Sequence, residues 1–454
     1  MKYALLLLLT IALTLFIWIG CINHDYLSDY KLAPNPDAIT YLDLSQNIWV
    51  HGEYSRRPEP PYTPDFKWTP AFPILAGGAY CLFGTAGVFV LNILLTVLSC
   101  LIIYRLVEYY VNKSAGTFAS CLFALDTLIW SLNFQAMSDI AFVTFVLVGL
   151  YFTLPTLFPK DYTKDSSFWR LIPGGLGLGI AILTRPTGLY LPIVVILCYA
   201  VKTIFSRTNL IRSVSCITTF LLCSYALAGL WMLRNYQTFG IFTLSGNENI
   251  VMVYYTGGGA WQTEFNCSLA EAQEKIQKEY NLPPDVVCQN ADSFGVDPAQ
   301  IDRQLKACKR EVLTKYPVSL IKSALIGIPK SLIAHETGLF AKLTKQDWQG
   351  AGNLFSNSPI LLVIFFWSVL FQIIVICCGL IGIVCSWIVN RDSRWTIFCI
   401  AGIAAYFVLT MGLSGADCCA RYRLPLMPIL IAFAAITITV LLDKIRKNEP
   451  VNRQ

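Results

Sequence analysis

The residues best suited to chemistry lie in one polar stretch between two apolar runs, from Asp37 to Pro73. Asp37 follows a proline and opens a helical pattern, in which Tyr41 lies one turn later on the same face. A carboxylate on a face directed at a membrane or a helical bundle is partly desolvated, which favours proton uptake and suits a general base. The alternative is a helix N-cap, for which aspartate is a preferred residue.

A second acid, Asp139, stands where a later apolar run begins. Ionisable residues at the boundary of a membrane segment are costly, so an acid in this position is a candidate functional residue. The alternative is again an N-cap, and the local sequence by itself favours that interpretation.

Five basic residues lie at the predicted outer ends of apolar runs or in the loops beyond them, where the positive-inside rule disfavours cations. Taken singly, each is explained by snorkelling to the interface or by pairing with an acid. Together, beside two acids, they indicate a phosphate site, because Lys and Arg neutralise phosphate and stabilise a negatively charged leaving group. The five residues are Lys67, Arg185, Arg234, Arg421 and Arg423.

The elements that position these residues are predicted to be membrane helices. The chain has 454 residues, of which 55% are hydrophobic and only 14% are charged, whereas soluble domains have about 25% charged residues. About ten apolar runs approach the ~20 residues that cross a bilayer. We therefore predict an all-α polytopic membrane protein with spans at 3–20, 86–108, 115–131, 139–156, 171–184, 187–205, 214–233, 360–388, 395–413 and 424–443.

The charges predict an orientation with the N-terminus inside. The net charge of +6 comes largely from short basic loops, which act as orientation signals, so we expect no nucleic-acid binding. The basic residues of these predicted inner loops are Arg105, Lys113, Lys160, Lys164, Arg170, Lys202, Arg207, Arg212, Arg391, Arg394, Lys444, Arg446 and Lys447.

This orientation divides the chain into three predicted parts. Residues 1–233 form a transmembrane module that includes the outer loop 21–85. Residues 234–358 form an outward-facing, soluble-like segment, and residues 359–454 are the last transmembrane helices. Within 234–358 we expect polar helices at 268–280 and 300–314, a membrane-surface helix at 317–334, and a flexible turn at 257–259.

Neither the cysteines nor the histidines predict a metal site. The 16 cysteines include no two CxxC pairs. His24, His51 and His335 are dispersed, and solvated histidines explain them better than metal ligands. Cys267, Cys288 and Cys308 fall in the predicted outer segment, where two of them are able to form a disulfide whose pairing the sequence leaves open.

At this point the ordered motifs resemble a known family, the GT-C membrane glycosyltransferases, and specifically bacterial glycosyltransferase family 39 with its relative, the aminoarabinose lipid A transferase. That family has an acid, then Tyr, then a "G.YS" stretch and a "TPxYP" stretch. The chain has these motifs in order at Asp37, Tyr41, 52–55 and 69–73. It continues with LTRP at 183–186, RNYQTFGIFTLS at 234–245 and RYRLPLMP at 421–428.

The resemblance implies a transferase that uses a polyprenyl-phosphate-linked sugar. It implies that Asp37 is the catalytic base, that Asp139 is the second acid, and that Lys67, then Arg421, hold the lipid phosphate. We also expect Tyr41 and Tyr422, which belong to the motifs, to contact substrate. Two departures stand out: Ala38 replaces a second acid found in many relatives, and Phe66 replaces a Glu that binds metal in some.

We therefore expect a membrane glycosyltransferase that needs no metal or other cofactor. It would move a sugar from the lipid donor to a protein, lipid or glycan acceptor on the outer face, with inversion, in a bacterial plasma membrane. The alternative is a polytopic transporter or lipid flippase. A transporter would show paired halves with interrupted helices, and the sequence has no such pairing; a structural assembly factor is a third interpretation.

Overall fold

The computed structural model describes residues 2–32, 35–160, 167–206, 209–389, 393–415 and 419–448. Three residues of the predicted basic loops, Lys164, Arg207 and Arg391, lie outside these ranges, as do the side chains of Arg446 and Lys447. The described residues form helices and connecting turns without a strand. The predicted all-α class is confirmed.

The helices vary widely in length, from single turns to 31 residues, and the longer segment Ala71–Tyr110 is two helices joined at a kink at Phe83 and Gly84. The α-helices are Lys2–Ile22, His24–Ser28, Pro36–His51, Ala71–Tyr110, Lys113–Leu125, Thr127–Asn133, Asp139–Leu157, Leu171–Thr184, Leu191–Ser206, Leu210–Phe239, Asn247–Ile250, Gly258–Phe265, Leu269–Tyr280, Asp285–Gln289, Pro298–Lys315, Pro317–Ile333, Thr337–Leu343, Pro359–Val389, Arg394–Leu413 and Met427–Asn448. A π-helical segment covers Val251–Gly257, and 3₁₀ turns cover Tyr30–Leu32, Phe168–Arg170, Pro186–Gly188, Ala291–Phe294, Leu354–Ser356 and Ala420–Leu426.

Eight of the described helices are long and apolar enough to cross a membrane, and the number reaches 10 if each of two bent helix pairs is one span. The pairs, 113–133 and 317–343, each bend by 56°. The predicted span 115–131 is therefore a bent pair. The helix predicted to lie on the membrane surface at 317–334 is the first half of the other pair, so its length and composition also fit a broken span or a re-entrant loop.

The glycine-rich helix Leu171–Thr184, one of the predicted spans, has 14 residues and packs closely on its neighbours. A Cβ at Gly175 would lie 2.6 Å from Cys223 Cβ on helix Leu210–Phe239, and one at Gly177 would lie 2.9 Å from Gly149 N on helix Asp139–Leu157. Glycine thus lets three helix backbones approach closely, which is the usual packing of membrane helices.

Residues 247–316 fold around a core of their own, and we call them the small module. Its core packs the π-helical segment and helix Gly258–Phe265 against helices Leu269–Tyr280 and Pro298–Lys315. The predicted polar helices are present, but the predicted flexible turn at 257–259 is wrong. Gly257 ends the π-helical segment and Gly258 starts a helix. Glycine is needed at 257 for close packing, because a Cβ there would lie 2.5 Å from Val312 Cγ1.

The disulfide left open by the sequence does not form in this structure. Cys267, Cys288 and Cys308 are all free, and the latter two are buried in the core of the small module. Helix Pro317–Ile333 still packs on helix Gly258–Phe265, with Leu320 against this core, whereas Phe340, Ala341 and Leu343 pack into the main helical core. The division of the chain at 234 and 358 stays a prediction. Residue 234 itself lies inside helix Leu210–Phe239.

Candidate active site

Asp37 lies in the first turn of helix Pro36–His51, and its side chain is available for chemistry. The N-cap is Asn35, whose side-chain oxygen accepts the Asp37 N–H at 3.0 Å. The N-cap interpretation of Asp37 is therefore wrong. Instead, Asp37 Oδ2 accepts a hydrogen bond from Arg421 Nη1 at 3.1 Å, and 31% of the Asp37 side chain is exposed.

Asp139 is the first residue of helix Asp139–Leu157, after Ser138 in the N-cap position. Its side chain is 4% exposed and forms an ion pair with Arg185, in which Oδ1 is the acceptor. Asp139 Oδ2 is buried and has no hydrogen-bond partner. Arg185 is the extended C-cap residue of helix Leu171–Thr184. The ion pair therefore joins the end of that helix to the start of helix Asp139–Leu157.

Tyr41 interacts with groups of both acid–arginine pairs. Its hydroxyl is 3.0 Å from Ser138 Oγ, and its ring packs on Trp68 at 4.8 Å between centroids. Burial raises the pKa of Tyr41 to about 12, and charges on Arg185, Asp37 and Asp139 all act on this hydroxyl. Tyr41 therefore remains a neutral hydroxyl at physiological pH, within electrostatic range of both acids.

The backbone around Lys67 is fixed by a turn in which the Asp65 side chain accepts main-chain hydrogen bonds. Asp65 Oδ1 accepts the N–H groups of Lys67 at 2.7 Å and Trp68 at 3.3 Å, and the same carboxylate pairs with Arg56. Lys67 Nζ donates to the main-chain oxygen of Gln289 at 3.2 Å and lies 4.8 Å from the Trp68 ring centroid. Burial, followed by the charge of Arg56, lowers the pKa of Lys67 to about 8.

Arg234 and Arg423 have different surroundings from the other predicted phosphate ligands. Arg234 Nη1 donates to the main-chain oxygen of Asp65 at 2.8 Å, and its guanidinium lies over Trp231. Arg423 is fully buried and donates to the main-chain oxygens of Ser331 and Ala334, at 3.3 and 2.5 Å. Both guanidinium groups thus bind the backbone, a function that the sequence does not distinguish from phosphate binding.

The fold also brings to this site polar residues that no sequence motif indicates. Asp285 and Tyr255 of the small module hydrogen-bond each other at 3.1 Å and interact electrostatically with Lys67 and Asp37, respectively. Glu336, between the two helices of a bent pair, interacts electrostatically with Arg423, Asp126, Arg421 and Asp139. Locally, Asp285 follows two prolines as an ordinary acid of a first helical turn, so no motif marks it.

The described part of the chain contains no cluster of three or more metal-ligating side chains. His335 Nδ1 lies 3.1 Å from Thr337 Oγ1, and His51 stacks on Tyr62. Phe66, in the position of a metal-binding Glu in some relatives, is buried and packs on Phe239. That a metal is not required stays a prediction.

Tyr422 adjoins the Asp37–Arg421 pair. Its ring centroid is 5.7 Å from the guanidinium carbon of Arg421, and its side chain is partly buried. Of the predicted site residues, the fold thus gathers Asp37, Asp139, Arg185, Arg421, Tyr41 and Tyr422, with Lys67 within electrostatic range of Asp37.

Comparison with known proteins places this geometry in context. Residues 67–236 match the family model described as dolichyl-phosphate-mannose-protein mannosyltransferase. No match was found among curated proteins. The matched family segment contains Lys67, Asp139, Arg185 and Arg234, and Asp37 precedes it.

Two solved structures are similar to this chain, and the first of them shows a likeness in fold. An oligosaccharyltransferase from Archaeoglobus fulgidus, tethered with an acceptor peptide, is 15% identical with a TM-score of 0.53, over 98% of this chain and 50% of that chain. ArnT from Cupriavidus metallidurans, bound to undecaprenyl phosphate, is 14% identical with a TM-score of 0.40, over 99% of this chain and 81% of that chain.

The chain thus spans about half the length of the archaeal enzyme whose fold it shares. The resemblance to the GT-C membrane glycosyltransferases that the ordered motifs predicted is confirmed, with residues 67–236 matching the mannosyltransferase family.

Proposed function

We propose that this protein transfers a sugar from a polyprenyl-phosphate donor to a nucleophilic acceptor, with inversion, and that Asp37 is the general base. The observation that carries the proposal is the Asp37 carboxylate, which is partly exposed and ion-paired with Arg421 at 3.1 Å. A base must be accessible to the acceptor, and the partly exposed Asp37 carboxylate, held in place by Arg421, meets this need.

The reaction forms one bond and breaks one. Asp37 takes the proton of the acceptor hydroxyl or amine, whose oxygen or nitrogen attacks the anomeric carbon from the side opposite the phosphate. The bond between the anomeric carbon and the phosphate oxygen breaks, and polyprenyl phosphate leaves with the electron pair. A single attack of this kind inverts the anomeric configuration.

Lys67 is the residue that we assign to the leaving phosphate. Its ammonium group is largely buried and already donates to a carbonyl oxygen at 3.2 Å, so a phosphate oxygen is a suitable replacement acceptor. A cation in a water-poor site stabilises developing negative charge more strongly than one in bulk water. Arg423 is not part of this assignment, because its side chain is fully buried, and Arg234 stays a predicted phosphate ligand.

The second acid, Asp139, acts through position rather than as a base in this proposal. It is 4% exposed and bound to Arg185, so it fixes Arg185 and, through the adjacent Ser138, the hydroxyl of Tyr41. These groups then orient the acceptor beside Asp37.

The donor and the membrane follow from the family rather than from the site. The match to a dolichyl-phosphate-mannose-protein mannosyltransferase model supports a polyprenyl-phosphate sugar as donor, and the long apolar helices support a bilayer as its location. We place the site on the outer face of a bacterial plasma membrane, with a protein, lipid or glycan as acceptor.

The proposal is tested by incubating the purified protein with polyprenyl-phosphate sugars and candidate peptide, lipid and glycan acceptors. Release of polyprenyl phosphate, dependent on acceptor, is the expected result. Movement of the intact donor across a vesicle membrane without release would instead identify a flippase, and neither result in the presence of plausible donors would favour a structural role.

A further inference from the structure

The small module contacts the predicted phosphate ligand through one short helix, Asp285–Gln289. The main-chain oxygen of Gln289 accepts hydrogen bonds from Lys67 Nζ and from Arg56 Nη1, both at 3.2 Å. One turn earlier on this helix, Asp285 Oδ2 accepts the Tyr255 hydroxyl at 3.1 Å. The helix therefore places a carboxylate–tyrosine pair next to Lys67.

This pair extends from Lys67 towards the proposed base. The charge of Lys67 acts on Asp285, while Asp37 and Tyr422 act on the Tyr255 hydroxyl. Both side chains are half-buried, so they line the site without being sealed in a core. The Tyr255–Asp285 pair is thus within electrostatic range of both the group assigned to the acceptor and the group assigned to the phosphate.

In the proposed transfer, the sugar lies between Lys67 and Asp37, next to this pair. Its anomeric carbon is bonded to the phosphate oxygen at Lys67 and is attacked by the acceptor atom at Asp37. We infer that Asp285 and Tyr255 form the subsite for the transferred sugar, in which Asp285 accepts hydrogen bonds from ring hydroxyls and Tyr255 orients the carboxylate. This inference rests on the proposed function and identifies where its specificity resides.

The chemistry of Asp285 fits a hydroxyl-rich ligand better than a phosphate. An ionised carboxylate accepts about four hydrogen bonds, and Asp285 accepts them from Tyr255 and, at 3.4 Å, from Gln289 Nε2. Capacity therefore remains for a ligand hydroxyl. A carboxylate repels a phosphate but binds a sugar hydroxyl, and half-burial strengthens that hydrogen bond.

The test compares lipids with and without a sugar. The purified full-length protein is titrated in detergent with polyprenyl phosphate carrying mannose, glucose or galactose, and with sugar-free polyprenyl phosphate. Asp285→Asn and Tyr255→Phe should each weaken binding of the preferred sugar lipid by about tenfold, because each variant loses one hydrogen bond. Binding of sugar-free polyprenyl phosphate should stay within about twofold of wild type, because its phosphate contact with Lys67 is unchanged.

Asp297→Asn is the matched control in the same module. Asp297 is an exposed N-cap of helix Pro298–Lys315, and asparagine caps helices equally well, so this variant should bind both lipids as wild type does. Tyr255→Phe removes a single oxygen and carries the test if Asp285→Asn fails to fold.

Two results would overturn the inference: variants that bind the sugar lipids as tightly as wild type, or variants that lose affinity for both kinds of lipid equally. Failure of the proposed function appears differently, in the wild-type protein. A wild type that binds sugar lipids but never releases polyprenyl phosphate contradicts the transfer reaction, while the sugar dependence of the variants still decides the subsite.

Discussion

Asp37 and Asp139 both lie in the first turn of a helix and both pair with an arginine, yet they differ in access. Asp37 is 31% exposed, whereas Asp139 is 4% exposed and has one oxygen without a partner. A buried carboxylate locked in an ion pair is poorly placed to collect a proton from a mobile acceptor. The two acids therefore have different functions in the proposed site.

Replacing the base tests this division. Asp37→Asn should lower the rate of transfer by about 10²–10⁴-fold, the usual contribution of a general base, with donor binding largely retained. Asp43→Asn is the control, since Asp43 lies on the same helix and accepts the Tyr30 hydroxyl at 2.5 Å. A folded Asp37→Asn protein with full activity would exclude Asp37 as the base.

The alkaline pH dependence of the reaction should report the charge of Lys67. Because burial and Arg56 lower its pKa to about 8, Lys67 is protonated and able to bind phosphate below this pH and neutral above it. The value of kcat/KM for the donor should therefore fall as pH rises through about 8. The charged groups that act on Lys67 are Arg56, Asp65, Asp37 and Asp285.

The variant Lys67→Arg tests whether Lys67, and not one of these neighbours, causes the alkaline decrease in kcat/KM. A guanidinium stays protonated throughout the accessible range, so the alkaline decrease should move to higher pH. Lys31→Arg, at an exposed position of the same loop region, should leave the profile unchanged. An identical alkaline limb in wild type and Lys67→Arg would assign the decrease to another group.

At the scale of elements, the π-helical segment Val251–Gly257 connects the module's core to the site. Its Tyr255 faces Asp285, and Thr256 donates to the main-chain oxygen of Leu413 at 2.5 Å. The segment ends at Gly257, which packs directly on helix Pro298–Lys315. The position of Tyr255 thus depends on a close helix contact two residues away.

Gly257→Ala should disturb this contact. The added Cβ would lie 2.5 Å from Val312 Cγ1, and such overpacking costs about 1–3 kcal/mol, which thermal unfolding in detergent will measure. Gly229→Ala is the control, because a Cβ there meets no atom within 4 Å and alanine favours a helix by up to about 1 kcal/mol. Equal stability of wild type and Gly257→Ala would show that Val312 can move aside without lowering the free energy of unfolding.

At the scale of the whole molecule, the proposed orientation places the small module and the basic loops on opposite sides of the membrane. Lys278, on helix Leu269–Tyr280, has 75% of its side chain exposed, and Lys113 is also exposed. In intact cells, a membrane-impermeant amine reagent should modify Lys278 and leave Lys113 unmodified, as read by mass spectrometry. Permeabilised cells, in which both lysines should react, are the control; the opposite pattern would invert the topology.

The sequence by itself determined the class of the protein and the order of its motifs. The length of an apolar run can be compared directly with the thickness of a bilayer, so an all-α membrane protein followed from local composition. Asp37, Lys67 and Asp139 were identifiable for a similar reason: the first two lie within short motifs whose members are neighbours in the chain, and Asp139 opens an apolar run.

Only the tertiary structure decided which groups meet. Asp37 and Arg421 are 384 positions apart, and Asp139 and Arg185 are 46 apart, so their pairing depends on helix packing rather than on local pattern. Packing also buries Arg423 completely, whereas part of the Lys67 side chain stays accessible, and it brings Asp285 and Tyr255 to the site. A charge at a helix end has the same local sequence in each case, and its function depends on what the fold places opposite it.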